Sequence, residues 1–305
     1  MTTSLPPFRL KPWFSPRPWG RKSLKPWYED TGTTELVGEA WLTGPQCVVE
    51  EGDELEGRTL ESLEPELGGE FPLLVKLLFP NEKLSVQVHP DDAQAQAAGE
   101  ARGKTECWYV LEAEPGASVM LGLKPGVDAK MLAASVADNT MESLVEKVPV
   151  SVGDMLFVDA GTVHAIGPGV VLLETQQTSD VTYRLYDYGR PRELHLEQGL
   201  KVIKQKTAAG KVAPKKMDEF TRLIEQKYFV VDRFDMGEME ERSVAMEGAG
   251  CLVGVEGKVW VITPGSEVEL EPGKAVVIPA GIGEVVVEAE EGASFVRCVA
   301  PAQTS

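Results

Sequence analysis

The sequence predicts a mainly β protein: two small β-barrels in tandem, carrying a few short helices. Three observations predict it. Short apolar runs with strand alternation, separated by Gly, Pro, Asn and Asp turns, recur through the 305 residues. Helical spacing is confined to a few short stretches in the first two thirds of the chain. One segment also occurs twice, as Gly153-x5-Asp159-Ala160-Gly161-x-x-His164 and Gly273-x5-Pro279-Ala280-Gly281-x-x-Glu284. Both copies read as a turn, a buried strand, a tight turn whose glycine takes an unusual backbone angle, and a residue aimed into a barrel.

The N-terminal stretch LPPFRLKPWFSPRPWGRKSLKPWY is locally basic and rich in proline and aromatic residues. Proline fixes φ and removes a donor, so limited regular structure is expected, in a wrap that packs its tryptophans on the core. ELVGEAWLTG and CVVEEGDELEG follow as short strands. Residues 73–79 and 84–89 are strands joined by the PNEK turn. DDAQAQAAGEARGK is a helix capped by Asp91 or Asp92 and ending near Gly103. TECWYVLEAEPGASVMLGL returns to strand, and helices begin at Asp128 and Thr140, over AKMLAASVAD and MESLVEKV. Strands recur at 148–158 and 170–174, and RELHLEQGLKVIKQK is a further helix. TAAGKVAPKKMDE is the linker candidate. Beyond it, YFVVDRF, CLVGVEG, KVWVITPG and KAVVIPAG have the spacing of a β-sandwich or barrel. The expected division is 1–205, with the N-terminal wrap, and 206–305.

Hydrophobic content of 43% and charged content of 26% are ordinary for a globular protein. A net charge of −18 argues against nucleic acid or an anionic membrane surface as partner, because both demand basic surface. It leaves room for a small anionic substrate, whose site must concentrate Lys and Arg locally. No stretch has the apolar core of a signal peptide or approaches the ~18 residues of a membrane span, so a cytoplasmic location is expected. Cys47, Cys107, Cys251 and Cys298 are widely spaced and are expected to be buried free thiols. The oligomeric state is left open.

Two of the chain's three histidines belong to a split set of metal-ligand residue types: Gln87, His89, Glu106 and His164. Gln87 and His89 are two apart on a strand and project from one face, with Val86 and Val88 on the other. Two imidazoles, a carboxylate and an amide oxygen suit a Zn²⁺-like ion with a position open for substrate. Lys104 shares the face of Glu106, and Cys107 faces away. Glu284 stands in the second copy where His164 stands in the first, and no histidine follows His195. The second barrel is therefore expected to lack a His-based centre and to serve structure or assembly.

The repeated pattern resembles the second cupin motif, and Gln87-x-His89 with Glu106 resembles a spread-out first motif. The resemblance implies two cupin-like jelly-roll β-barrels. VKLLFPNEKLSVQVHPDD, GKTECWYVL, DAGTVHAIGPG and VLLETQQTSDVTYRLYDYGR resemble the type I mannose-6-phosphate isomerases in their short bacterial form, a similarity that runs over about residues 5–205. That form lacks the large helical insertion of the long forms. The resemblance implies interconversion of mannose 6-phosphate and fructose 6-phosphate through an enediol, with one Zn²⁺ held by Gln87, His89, Glu106 and His164. It marks Arg184 as catalytic, Lys76 and Lys104 as pocket lysines, and Glu174 and Asp180 as acidic neighbours of Arg184. After Asp180 the segment VTYRLYDYGR departs from the long forms but keeps Arg184 in place.

Both histidines of the set are committed to metal, which leaves Lys104, Glu174 or a metal-bound water to move the proton, with Lys104 favoured. Substrate contacts are expected from Lys76, Lys104, Asp180 and Arg184. Two other classes share these features. One is a cupin non-haem iron oxygenase, whose facial triad is also two histidines and a carboxylate. The other is a non-catalytic sugar-phosphate-binding cupin.

Overall fold

The computed structural model describes residues 5–301. Four sheets are stacked. The outer sheet has five strands, in the order Tyr183–Tyr186, Val86–Val88, His164–Ile166, Ser118–Leu123 and Val145–Pro149. The central sheet has seven: Gly210–Val212, Met155–Val158, Glu106–Ala113, Val170–Gln177, Leu73–Leu78, Val37–Trp41 and Trp13–Arg21. An eight-stranded sheet follows, with Lys215–Lys216, Thr221–Glu225, Val230–Met236, Ala293–Val299, Gly250–Glu256 and Ala275–Ile278, then Phe8–Lys11 and Val48–Glu51. Glu240–Met246, Gly283–Ala289, Val259–Thr263 and Ser266–Leu270 form the last sheet. The sheets face one another as jelly-roll sandwiches and do not close into continuous barrels. Sheet and sequence order cross near residue 205: Phe8–Lys11 and Val48–Glu51 lie in the sheet of C-terminal strands, while Gly210–Val212 joins the central sheet.

Strand alternation decides what each face buries. On Glu106–Ala113, Trp108 and Val110 pack with Val119, Leu121 and Ile166 of the outer sheet. Cys107 and Tyr109 point the other way, against Cys251, Val253 and Cys298. Val86 and Val88 lie on the far side of the outer sheet, covered by Leu132 of the helix Ala129–Asp138 and Val202 of the helix Leu196–Val202. All four cysteines are free and buried. Among the described residues no helix is long and apolar enough to cross a membrane.

The last layer holds Phe295, fully buried and stacked on Phe234 at a centroid distance of 4.9 Å. Phe295→Ala should lower the unfolding free energy by about 3–5 kcal/mol, through lost burial and a residual cavity. Urea denaturation measures this, and a loss below about 1 kcal/mol would show that the layer collapses onto the void.

The repeat is structural as well as sequential. Gly153 and Gly273 have φ of 89° and 77°, and Gly161 and Gly281 have 89° and 91°. The intervening strands Met155–Val158 and Ala275–Ile278 are buried throughout. The copies differ at their last residue: His164 is buried, whereas Glu284 is exposed and does not aim inward.

Several expectations are corrected. The proline-rich N-terminal stretch forms two strands, Phe8–Lys11 and Trp13–Arg21. The second is an edge strand with register breaks at Pro16, the position at which a sheet tolerates a missing donor. MESLVEKV is a 3₁₀ turn, Met141–Leu144, followed by a strand in which Val145 pairs with Leu123. The helix capped by Asp91 ends at Ala97, well before Gly103. The linker candidate is partly strand, because Gly210–Val212 pairs with residues 155–157.

Candidate metal centre and active site

Two cross-strand rows build the site. On the outer sheet, Arg184, Gln87 and His164 are register partners across three adjacent strands. On the central sheet, Trp41, Lys76, Glu174 and Trp108 are partners across four. Register partners share a face, so each row lines up its side chains. Glu106 lies two residues before Trp108 and Lys104 two before Glu106, which puts both on the face of Trp108. His89 follows directly on Val86–Val88.

The imidazoles are oriented by main-chain carbonyls. His89 Nδ1 is 2.8 Å from Val181 O, and His164 Nδ1 is 2.9 Å from Thr162 O. A carbonyl only accepts, so each Nδ1–H donates and each Nε2 keeps its lone pair. Glu106 Oε1 lies 3.3 Å from His164 Nε2, and Oε2 lies 3.8 Å from His89 Nε2. The ligand atoms of His89, Glu106 and His164 all fall within 4.8 Å of one another. His89 Nε2 and Glu106 Oε1 are buried without a hydrogen-bond partner, and Glu106 Oε2 is met by the Lys104 ammonium at 3.0 Å. Buried acceptors converging on one point are costly unless a cation sits between them, so this set fits a divalent metal.

Gln87 Nε2 is 3.2 Å from His164 Nε2, and Gln87 Oε1 is 3.2 Å from Ser85 Oγ. Turning the amide over would present its oxygen to the centre and its N–H to Ser85. Burial first, then Lys104 and His164, hold His89 well below the ordinary imidazole value. Burial also takes His164 down to about 4, against the Thr162 carbonyl. Both rings are therefore neutral at pH 7, as metal ligation requires.

Lys104 Nζ is 3.0 Å from Glu106 Oε2. Burial works against its charge, but Glu106, Glu174 and Asp180 outweigh burial and push its pKa up. Burial raises the Glu174 carboxyl, with Lys104 opposing and Glu106 adding to the rise. Glu174 Oε1 accepts from Trp108 Nε1 at 3.1 Å, and its Oε2 is 3.7 Å from Lys76 Nζ. A cavity of about 450 Å³ opens onto these groups, lined by Gln87, Lys104, Lys76, Glu174, Asp180 and Arg184. Its size is that of a small-molecule site. All the sequence-expected residues thus meet at one place.

Their pairing differs in one respect. Glu174 and Asp180 are partners of Lys76 rather than of Arg184. Lys76 is only 2% exposed, lies 2.9 Å from Asp180 Oδ1 and sits 4.3 Å above the Trp41 ring. Arg184 instead donates from Nη1 to Glu193 O, and its main-chain N–H donates to His195 Nδ1. Lys76→Met would leave the buried Glu174 carboxylate without this cation. It should cost about 3 kcal/mol of stability in urea denaturation, and an unchanged midpoint would contradict the pairing.

Three charged lining residues are not foreseen from the sequence: Arg17, Glu39 and Arg192. Arg17 lies in the locally basic N-terminal stretch, which was the one available signal.

Facing jelly-roll sheets around a buried His–Glu–His set, next to a cavity lined by Gln87 and Lys104, define a cupin-type metal centre. The profile of the phosphomannose isomerase type I catalytic domain matches residues 48–116. Mannose-6-phosphate isomerase ManA of Bacillus subtilis is 34% identical, covering 94% of this chain and 97% of its own. The mannose-6-phosphate isomerase of Streptococcus mutans is 39% identical, over 61% of this chain and 64% of its own. A crystal structure of the Bacillus subtilis mannose 6-phosphate isomerase superposes with a TM-score of 0.84 at 28% identity, covering 96% of this chain and 99% of that one. The chain belongs to the type I phosphomannose isomerase family.

Proposed function

We propose the following division of labour for the metal-dependent interconversion of mannose 6-phosphate and fructose 6-phosphate that this family member performs. Gln87, His89, Glu106 and His164 hold the ion, and two imidazoles with a carboxylate suit Zn²⁺. When bound, the ion supplies a Lewis acid for the carbonyl and hydroxyl oxygens of the sugar. Lys104 is an ammonium surrounded by carboxylates, so it donates rather than accepts, and steadies the oxygen that gains charge as the enediol forms. Glu174 lines the same cavity, with Oε1 held by Trp108 and Oε2 turned toward Lys76. It takes the proton from C2 and returns it at C1. Lys76 and Asp180 orient sugar hydroxyls. Arg184, whose Nε is buried without a partner, contacts the anionic substrate.

The observation that carries this reading is the pair of partnerless buried acceptors, His89 Nε2 and Glu106 Oε1, beside the Lys104 ammonium that lines the cavity. The oxygenase alternative finds no support among relatives named as isomerases. The test follows hydrogen at C2. In D₂O the wild type should exchange the C2 hydrogen of mannose 6-phosphate, and metal-loaded Glu174→Gln should not. Undiminished exchange in Glu174→Gln would remove that residue from the proton path.

A further inference from the structure

The cavity is also lined by three arginines that the proton chemistry does not use. Arg17 comes from the edge strand Trp13–Arg21 of the central sheet, Arg184 from the outer sheet, and Arg192 from the loop that follows it. All three are half-buried and line the same cavity. Each guanidinium is anchored along one edge. Arg17 Nε and Nη2 donate to the two oxygens of Glu39 at 2.9 and 3.0 Å, its Nη1 also donates to Pro16 O at 3.2 Å, and Glu39 is itself fixed by Trp41 Nε1 at 2.7 Å. Arg192 Nε and Nη2 donate to both oxygens of Asp187 at 2.7 Å. Arg184 Nη1 holds Glu193 O, while its Nε is buried and unpartnered.

Such anchoring sets the plane of each fork and leaves its remaining N–H groups to the cavity. The cations also repel one another: burial, then Arg192 and Arg17, lower the pKa of Arg184, with Asp187 opposing. Glu39 and Asp187 offset the charges of Arg17 and Arg192, while Arg184 has no carboxylate ion pair among the described residues, so the cluster keeps a net positive charge that an anion would stabilise.

We propose that Arg17, Arg184 and Arg192 form the phosphate end of the site, taking a phosphate monoester dianion and placing the sugar's C1 and C2 toward Lys104 and Glu106. Arg17 is then a specificity-determining residue, and Glu39 positions it. The inference rests on the sugar-phosphate reading above and deepens it.

Steady-state kinetics on the metal-loaded full chain, with inorganic phosphate as the competing probe, test it. Arg17→Ala and, separately, Arg192→Ala should each raise KM for mannose 6-phosphate and Ki for inorganic phosphate in parallel, by roughly 10–100-fold, with kcat falling far less. Arg17→Lys keeps the charge without the fork and should recover part of the loss. Unchanged KM and Ki in both alanine variants, in an enzyme whose wild type isomerises, would overturn the inference. A wild type that does not isomerise would count against the functional reading instead. In that case, protection of its Tm by inorganic phosphate that is lost in Arg17→Ala would still support the arginine cluster.

Discussion

Glu106→Ala is expected to purify without its metal and with isomerase activity lowered by about 10³-fold or more, while its circular dichroism matches the parent. Glu106 is the one carboxylate of the proposed ligand set, and it faces both histidines, at 3.3 and 3.8 Å. Removing it leaves two neutral imidazoles and an amide, with no anionic ligand to offset a divalent charge. The substitution also strands Lys104, whose nearest carboxylate contact is the 3.0 Å pair with Glu106. The fold should survive, because Trp108 and Val110 on the same strand keep their packing against the outer sheet. Metal analysis beside the activity assay checks the result. Full metal occupancy in Glu106→Ala would mean that the ion sits elsewhere.

Lys104→Ala is expected to behave oppositely with respect to metal: the ion is retained and kcat falls about 10²–10³-fold, the usual cost of losing one donor to a developing oxyanion. Lys104 is 4% exposed and sits among Glu106, Glu174 and Asp180, which keep it charged. Its loss removes the cation facing the reacting oxygens without touching a ligand. The two variants together separate holding the metal from using it. A metal-loaded Lys104→Ala enzyme with nearly wild-type kcat would reduce Lys104 to a neutralising partner of Glu106.

What could be read from the chain depended on whether it was local. Strand parity alone separates Gln87 and His89 from Val86 and Val88, and Glu106 from Cys107, and the structure keeps both separations. Partners across strands are another matter. Asp180 and Glu174 stand close to Arg184 in sequence, yet Glu174 is the register partner of Lys76, and Arg184 lies on the facing sheet. No spacing rule discloses that. The proline argument failed at Trp13–Arg21 because it assumes that every main-chain N–H is needed, and at a sheet edge it is not. The place of Arg17 in the cavity follows from the pairing of its strand with Val37–Trp41, which no local spacing discloses. MESLVEKV has apolar spacing compatible with a helix, but Val145 is claimed by the outer sheet. The repeat was legible at its glycines, whose positive φ values recur in both copies, and misleading at its last residue, where Glu284 meets solvent.

Isomerisation of mannose 6-phosphate by this chain is proposed to depend on metal held by Gln87, His89, Glu106 and His164. The most direct test is fructose 6-phosphate formation from mannose 6-phosphate, before and after chelation, with bound metal determined on the same samples. Activity should disappear with the metal and return on adding about one equivalent of Zn²⁺ per chain. Undiminished turnover by protein shown to be metal-free would rule out that dependence.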